Sequence, residues 1–196
     1  MRKAAWPDIN LGPQSLLSCS LKTDGCHGGW SLLAWEYINQ NSVTDETCTV
    51  YQARGHDNGL ECSPLSVCED CAPGAGCWEQ KDHDSYTVSE YGYVRGEEDM
   101  MQEIYQRGPI SCSVGSSQTL QDYTGGIYED KTGINTTNHV VSVVGWGVED
   151  GVKYWKVRNS WGSYWGEEGY YRQVRGTNNI AIESNCTFGV PVDTWS

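Results

Sequence analysis

The spacing of hydrophobic positions changes part-way along the chain. After the turn Gly28-Gly29, the stretch Trp30 to Asn41 places Leu33, Ala34, Tyr37 and Ile38 at helical spacing, which predicts one amphipathic helix ending near Asn41. Cys48 to Cys77 is rich in Gly, Pro, Ser and Cys with few aliphatic residues, which predicts loops held more by cross-links than by a core. A second helix is expected over Glu97 to Gln106: its acidic start suits the positive end of the helix dipole, and Met100, Met101, Ile104 and Tyr105 form one apolar face. Gly108-Pro109 stops it. From Ile110 onward the period shortens to that of strands, over Ile110 to Val114, Val140 to Trp146, Tyr154 to Arg158 and Tyr170 to Val174, divided by Gly-containing turns. The chain therefore reads as α+β, with its C-terminal half an antiparallel sheet or small barrel.

At 196 residues the chain can form one globular unit or two small lobes. The aromatic residues are nearly all Trp and Tyr, 9 and 12 against one Phe, which suits half-buried grooves where a ring packs and its polar tip bonds. A formal net charge of -13 argues against nucleic acid as a partner, because binding there needs Lys and Arg to displace counterions from phosphates. It suits solubility, or work at low pH where carboxylates are partly neutralised. No run of about 18 apolar residues predicts a membrane span, and Met1-Arg2-Lys3-Ala4 leads into no apolar signal core. Nine cysteines point to a disulfide framework made in a secretory or lysosomal route. The count is odd, which leaves a reactive thiol, an intermolecular bridge or a lost partner to be explained. A zinc module built on Cys62, Cys68, Cys71 and Cys77 is the weaker reading, since zinc sites usually use two close pairs and only one is present. Asn135-Thr136-Thr137 and Asn185-Cys186-Thr187 both fit the N-glycosylation acceptor pattern, the second with a cysteine at its middle position.

Two segments carry candidate chemistry. Asn138-His139-Val140-Val141-Ser142-Val143-Val144-Gly145-Trp146-Gly147 sets a histidine at the mouth of a strongly apolar strand. Alone, it would be an idle histidine at a strand end. Twenty residues on, Arg158-Asn159-Ser160-Trp161-Gly162-Ser163-Tyr164-Trp165-Gly166-Glu167-Glu168-Gly169-Tyr170 places an amide among two tryptophans and several glycines. A cysteine nucleophile needs a histidine to hold it as thiolate, and that histidine needs an orienting acceptor shielded from water. Asn159 can be the acceptor and Trp161 its roof.

These segments, with Gly25-Cys26-His27-Gly28-Gly29, resemble the papain family of cysteine peptidases in that family's order. Within it they are most similar to the cathepsin X (cathepsin Z) branch, through Thr47-Cys48-x-x-Tyr51-Gln52-Ala53, Gly108-Pro109-Ile110-Ser111-Cys112, Tyr123-Thr124-Gly125-Gly126-Ile127-Tyr128 and Cys186-Thr187-Phe188-Gly189. The resemblance implies a two-lobe fold: a helical, disulfide-rich left lobe over 1–84, a barrel-like antiparallel right lobe over 85–185 carrying His139 and Asn159, and a segment 186–196 returning toward the left lobe. It implies that His139 is base and acid, Asn159 its orienter and Trp161 its shield. Trp165 would border the leaving-group side, Gly28 and Gly29 would offer backbone to a peptide, and Trp30 would enter the side-chain pocket. It pairs Cys19 with Cys62, Cys48 with Cys68, Cys71 with Cys77 and Cys112 with Cys186, and leaves Cys26 unpaired. Implied partners are peptide or protein substrates and protein inhibitors. No cofactor or metal is implied, and the protein is expected to be a monomer in the lysosome or outside the cell.

The family's nucleophile stands in a Cys-Gly-Ser-Cys-Trp segment, with the histidine roughly 130–150 residues downstream. Counting back from His139 lands before Met1 or within the first few residues, where no cysteine stands, and Cys19 lies too close. Met1-Arg2-Lys3-Ala4-Ala5-Trp6-Pro7 resembles the stretch just after the family's central helix. The expectation is that the nucleophile, the oxyanion-hole glutamine, the central helix and a short histidine-bearing insertion that fixes a substrate C-terminus are all missing, so that the chain as written is inactive. The alternative is a pseudo-peptidase that keeps a peptide groove without catalysis.

Overall fold

The structure, a computed structural model, describes residues 9–192. The stretch before Ile9, read above as following the family's central helix, lies outside the described residues, as do the last four positions of the expected C-terminal segment. In chain order the elements are α1 (Gln14–Cys19), α2 (Ser31–Asn41), α3 (Pro64–Val67), β1 (Glu69–Ala72), β2 (Gly76–Glu79), β3 (Val88–Val94), α4 (Glu97–Arg107), β4 (Ile110–Val114), α5 (Gln118–Gln121), β5 (Ile127–Tyr128), β6 (His139–Glu149), β7 (Val152–Arg158), β8 (Tyr170–Val174) and β9 (Cys186–Pro191). They divide into two units, one running to Glu90 and resuming at Val190, the other Tyr91–Gly189.

The first unit is short of aliphatic residues and is held instead by covalent links and buried polar groups. Disulfides join Cys19 to Cys62, Cys48 to Cys68 and Cys71 to Cys77. Gln14, fully buried, donates to Ser18 Oγ at 2.9 Å and to the Arg54 carbonyl at 2.7 Å, and accepts from the Gln52 N–H at 2.8 Å. A buried amide with its hydrogen bonds made avoids the desolvation penalty that an unpaired one would carry. The region expected to be loop between Cys48 and Cys77 contains α3 and the antiparallel hairpin β1–β2, with Cys71 directly opposite Cys77. The cross-link pins a register that its few exposed side chains could not. In α2 no residue is fully buried.

The second unit has a true core. Seven strands form one sheet in the order β3-β9-β4-β6-β7-β8-β5. Met100, Ile110, Cys112, Val114, Leu120, Val143, Trp155, Val157, Tyr171 and Ile182 are fully or almost fully buried against it. The helix α4 lays Met100 and Ile104 on this core and leaves Tyr105 exposed, so the expected apolar face is narrower than its spacing implied. Of the two forms expected from the sequence, an antiparallel sheet or a small barrel, the structure shows the sheet: it is open, with β3 and β5 as its edges, and it is mixed only where β5 runs parallel to β8. Closure needs the two edge strands to bond to each other, and β5, only two residues long, reaches β8 alone. Cys186–Pro191 is a strand of this sheet, and the Cys112–Cys186 bridge ties β9 to β4 where those two residues face each other.

Candidate active site

His139 is the first residue of β6 and faces Val114 of β4. Asn138 fixes the entry: its backbone N–H donates to the Val114 carbonyl at 3.0 Å, and its side chain accepts from Ser116 N–H at 2.7 Å and donates to Ser116 O at 3.1 Å. Nothing in the sequence pattern assigns Asn138 this clamp. An asparagine immediately before a strand, with no apolar partner in the pattern, was the available signal.

Asn159 follows Arg158, which pairs with Ser142 of β6, so the β6–β7 ladder brings Asn159 beside the start of β6. The loop after it closes on itself, with Asn159 N–H donating to Gly169 O at 2.9 Å and Gly169 N–H to Trp165 O at 2.8 Å. Gly166 is required in this loop. Its φ is +59°, and a Cβ there would stand 2.6 Å from the Tyr170 carbonyl oxygen.

His139 Nε2 lies 2.8 Å from Asn159 Oδ1. The same Oδ1 accepts the Ser160 backbone N–H at 2.9 Å, which identifies that atom as the oxygen of the amide. Nε2 must therefore carry a proton and donate it, so in the neutral ring the lone pair is on Nδ1. Among the described residues no hydrogen bond occupies Nδ1, which leaves it able to take a proton from a thiol. Trp161 stacks on the imidazole with ring centroids 5.0 Å apart and planes at 26°. Trp165 meets Trp161 edge-on at 4.9 Å and donates from Nε1 to Gln121 O at 2.9 Å. Asn159 is 8% exposed, and this apolar cover lowers the local polarity, which strengthens the His139–Asn159 bond. Its Nδ2 is buried without a partner among the described residues, so the amide is held through its oxygen alone.

Beside the tryptophans, Gln121, Asp122, Tyr123, Tyr164, Trp165 and Gly166 line an open recess of about 350 Å³. Glu167 backs this region by accepting from Arg172 at 2.8 Å and from Gly126 N–H at 3.0 Å, and the Arg172 guanidinium holds its carboxyl below the usual range. Gln121 and Tyr164 were not singled out from sequence, since a lone polar residue on a short helix and an exposed tyrosine carry no pattern.

Gly28, Gly29 and Trp30 belong to the other unit. Both glycines have positive φ, and Trp30 is 65% exposed. The segment before them is held by Asp57, which accepts from Cys26 N–H at 3.0 Å and from His27 Nδ1 at 2.6 Å. The structure brings together Cys19 with Cys62, Cys48 with Cys68, Cys71 with Cys77 and Cys112 with Cys186, and Cys26 is an exposed free cysteine. These bonds overturn the zinc reading of Cys62, Cys68, Cys71 and Cys77. The sulfurs go to three separate bridges and are not available as thiolate ligands. The two groupings nearest to metal geometry, Cys48-Cys68-His83 and Glu69-Cys71-Cys77, likewise consist mainly of bridged sulfurs.

The model of the papain family cysteine proteases matches residues 2–190. The chain belongs to the papain family. It is 38% identical over 200 residues to cathepsin Z of Onchocerca volvulus, covering 97% of this chain and 63% of that protein. It is 30% identical over 191 residues to cathepsin B-like protease 1 of Arabidopsis thaliana, covering 94% and 50%. The solved procathepsin B S9 of Trypanosoma congolense superposes with a TM-score of 0.78 at 28% identity, covering 94% of this chain and 61% of that one. The chain thus spans about half to under two thirds of these relatives' length.

Proposed function

We propose that this papain-family chain carries the base-and-orienter half of a cathepsin Z-like cysteine peptidase, which cleaves peptides or proteins by acyl transfer through a thiolate. The observation that carries the reading is the Nε2–H of His139 bonded at 2.8 Å to an Asn159 oxygen whose identity Ser160 fixes, under Trp161. In that chemistry Nδ1 of His139 removes the thiol proton, the thiolate attacks the scissile carbonyl, and the imidazolium gives the proton to the departing amine. Water then attacks the thioester, with His139 again as base. Asn159 keeps the ring in the required tautomer and plane through both steps. Trp165 and the recess beside it border the leaving-group side; by the resemblance, Gly28 and Gly29 offer backbone to the peptide and Trp30 enters a side-chain pocket. On this reading 1–84 belongs to one lobe and 85–185 to the other, and the four disulfides suit a lysosomal or extracellular route. Among the described residues no helix is long and apolar enough to cross a membrane.

The 196 residues as written supply no nucleophile, since eight of the nine cysteines are bridged and the ninth, Cys26, sits on the glycine segment held by Asp57. The chain alone is therefore expected to hydrolyse no fluorogenic peptide under reducing, mildly acidic conditions. Activity that appears when an upstream Cys-bearing segment is joined to it supports the reading. Activity of the chain alone that disappears on Cys26→Ala overturns it.

A further inference from the structure

We propose that Asn135 is an N-glycosylation site and that Asn185, which fits the same acceptor pattern, is not. Asn135, Thr136 and Thr137 are all exposed in the irregular segment between β5 and β6, and among the described residues their side chains make no hydrogen bond. The base of the segment is fixed at both ends. On one side Asp130, 5% exposed, gathers the N–H groups of Thr132 and Gly133 at 2.9 Å each, and Ile134 packs against the core. On the other, Asn138 clamps Ser116. The acceptor amide is thus presented outward between two anchors, with the Thr137 hydroxyl that the pattern requires also free. A bulky oligosaccharide rooted there displaces nothing but solvent.

The second sequon is in the opposite situation. Cys186 is fully buried in the Cys112–Cys186 bridge, and Thr187 is 3% exposed and paired with Ser111 of β4. Asn185 accepts the Ser113 N–H through its carbonyl, and its own Oδ1 is buried. Asn185 is itself half-buried just before β9, so a glycan there would crowd the place where β9 pairs with β4 and the Cys112–Cys186 bridge forms.

The modification is a group transfer. Asn135 Nδ2 loses a proton and bonds to the anomeric carbon of a polyprenyl-diphosphate-linked oligosaccharide. The carbon–oxygen bond to the diphosphate breaks, and polyprenyl diphosphate leaves with no change in oxidation state. The test is expression of the full chain behind an added secretory leader in a eukaryotic host, with the whole membrane fraction analysed, so that the readout does not depend on secretion. The expected result is one downward band shift on treatment with an N-glycan-releasing amidase, abolished by Asn135→Gln and by Thr137→Ala and unchanged by Asn185→Gln. Release in heavy-oxygen water should convert Asn135, alone of the two, to labelled aspartate. No shift in the unmodified chain, or a shift that survives Asn135→Gln and is lost in Asn185→Gln, overturns the proposal.

Discussion

Replacing both cysteines of the Cys112–Cys186 bridge by alanine should loosen the strand that carries His139 far more than removing the Cys71–Cys77 bridge loosens its hairpin. The bridges close loops of very different length, with sequence separations of 74 and 6. In the chain-entropy account, cross-linking over about 74 residues stabilises by roughly 4.4 kcal/mol at 25 °C, and over about 6 residues by roughly 2.2 kcal/mol. Packing widens the gap: Cys112 and Cys186 are both fully buried, with Cys186 Sγ 3.8 Å from Met100 Sδ, so truncation also leaves a void, whereas the β1–β2 hairpin is mostly exposed. β4 joins the bridge to β6, with Cys112 facing Val141 and Val114 facing His139. The assay is native-state hydrogen exchange, read amide by amide. For Val141 and Val143 the protection should fall by about a thousandfold, from roughly 4.4 kcal/mol at 1.4 kcal/mol per decade. In the Cys71→Ala, Cys77→Ala variant the loss should be confined to the hairpin. A fall of less than tenfold at Val141 and Val143, or an equal fall in both variants, would refute the reasoning.

In a form of the chain joined to a thiol-bearing upstream segment, Asn159→Ala should lower kcat/KM by roughly 5- to 150-fold, the equivalent of about 1–3 kcal/mol for a shielded hydrogen bond lost from a buried group. Trp161→Ala should lower it in the same direction by opening that bond to water, with KM changing less than kcat. Burial alone would raise the Asp130 carboxyl, but the Thr132 hydroxyl and the N–H groups of Ile134, Gly133 and Thr132 lower its pKa overall. A depressed folded-state value means that its contribution is complete above the ordinary aspartate pKa of 3.8 and is lost as pH falls through the folded value. Asp130→Asn should therefore destabilise by about 1.5–3 kcal/mol at pH 7 in urea unfolding, and the gap to the unmodified chain should close on acidification. A gap that stays constant down to strong acid would place the effect outside the carboxylate.

Much of the second unit was legible locally. Ile110–Val114 and Tyr170–Val174 are strands over the expected residues, and β6 and β7 extend the expected strands by one to three residues at their ends. The helix α4 begins at Glu97 as its acidic start implied. β3 and β9 were not legible, because Val88–Val94 and Cys186–Pro191 are interrupted by glycine or proline and form strands by bonding to distant partners. The exposed Tyr105 and the only half-buried apolar residues of α2 show the same limit for helices, where spacing reveals a face and cannot say what covers it.

The candidate site divides in the same way. His139, Asn159 and Trp161 stood out by type and order as candidates for a base, its orienter and a shield, Trp165 stood out only through the family resemblance, and the structure brings the four side chains together. The sequence also determined the cysteine inventory, the acidic charge and the two sequons. Tertiary structure alone decided that β6 and β7 pair with an irregularity between Val143 and Gly145, and a one-residue slip in that ladder would turn the facing side chains to the opposite side. It decided that Ser160 labels the Asn159 oxygen, that the sheet stays open, and which sequon faces solvent. Local sequence sets the period of a segment. Which segments share hydrogen bonds is settled only when backbone groups far apart in the chain leave water together, since each must find a partner as it is buried.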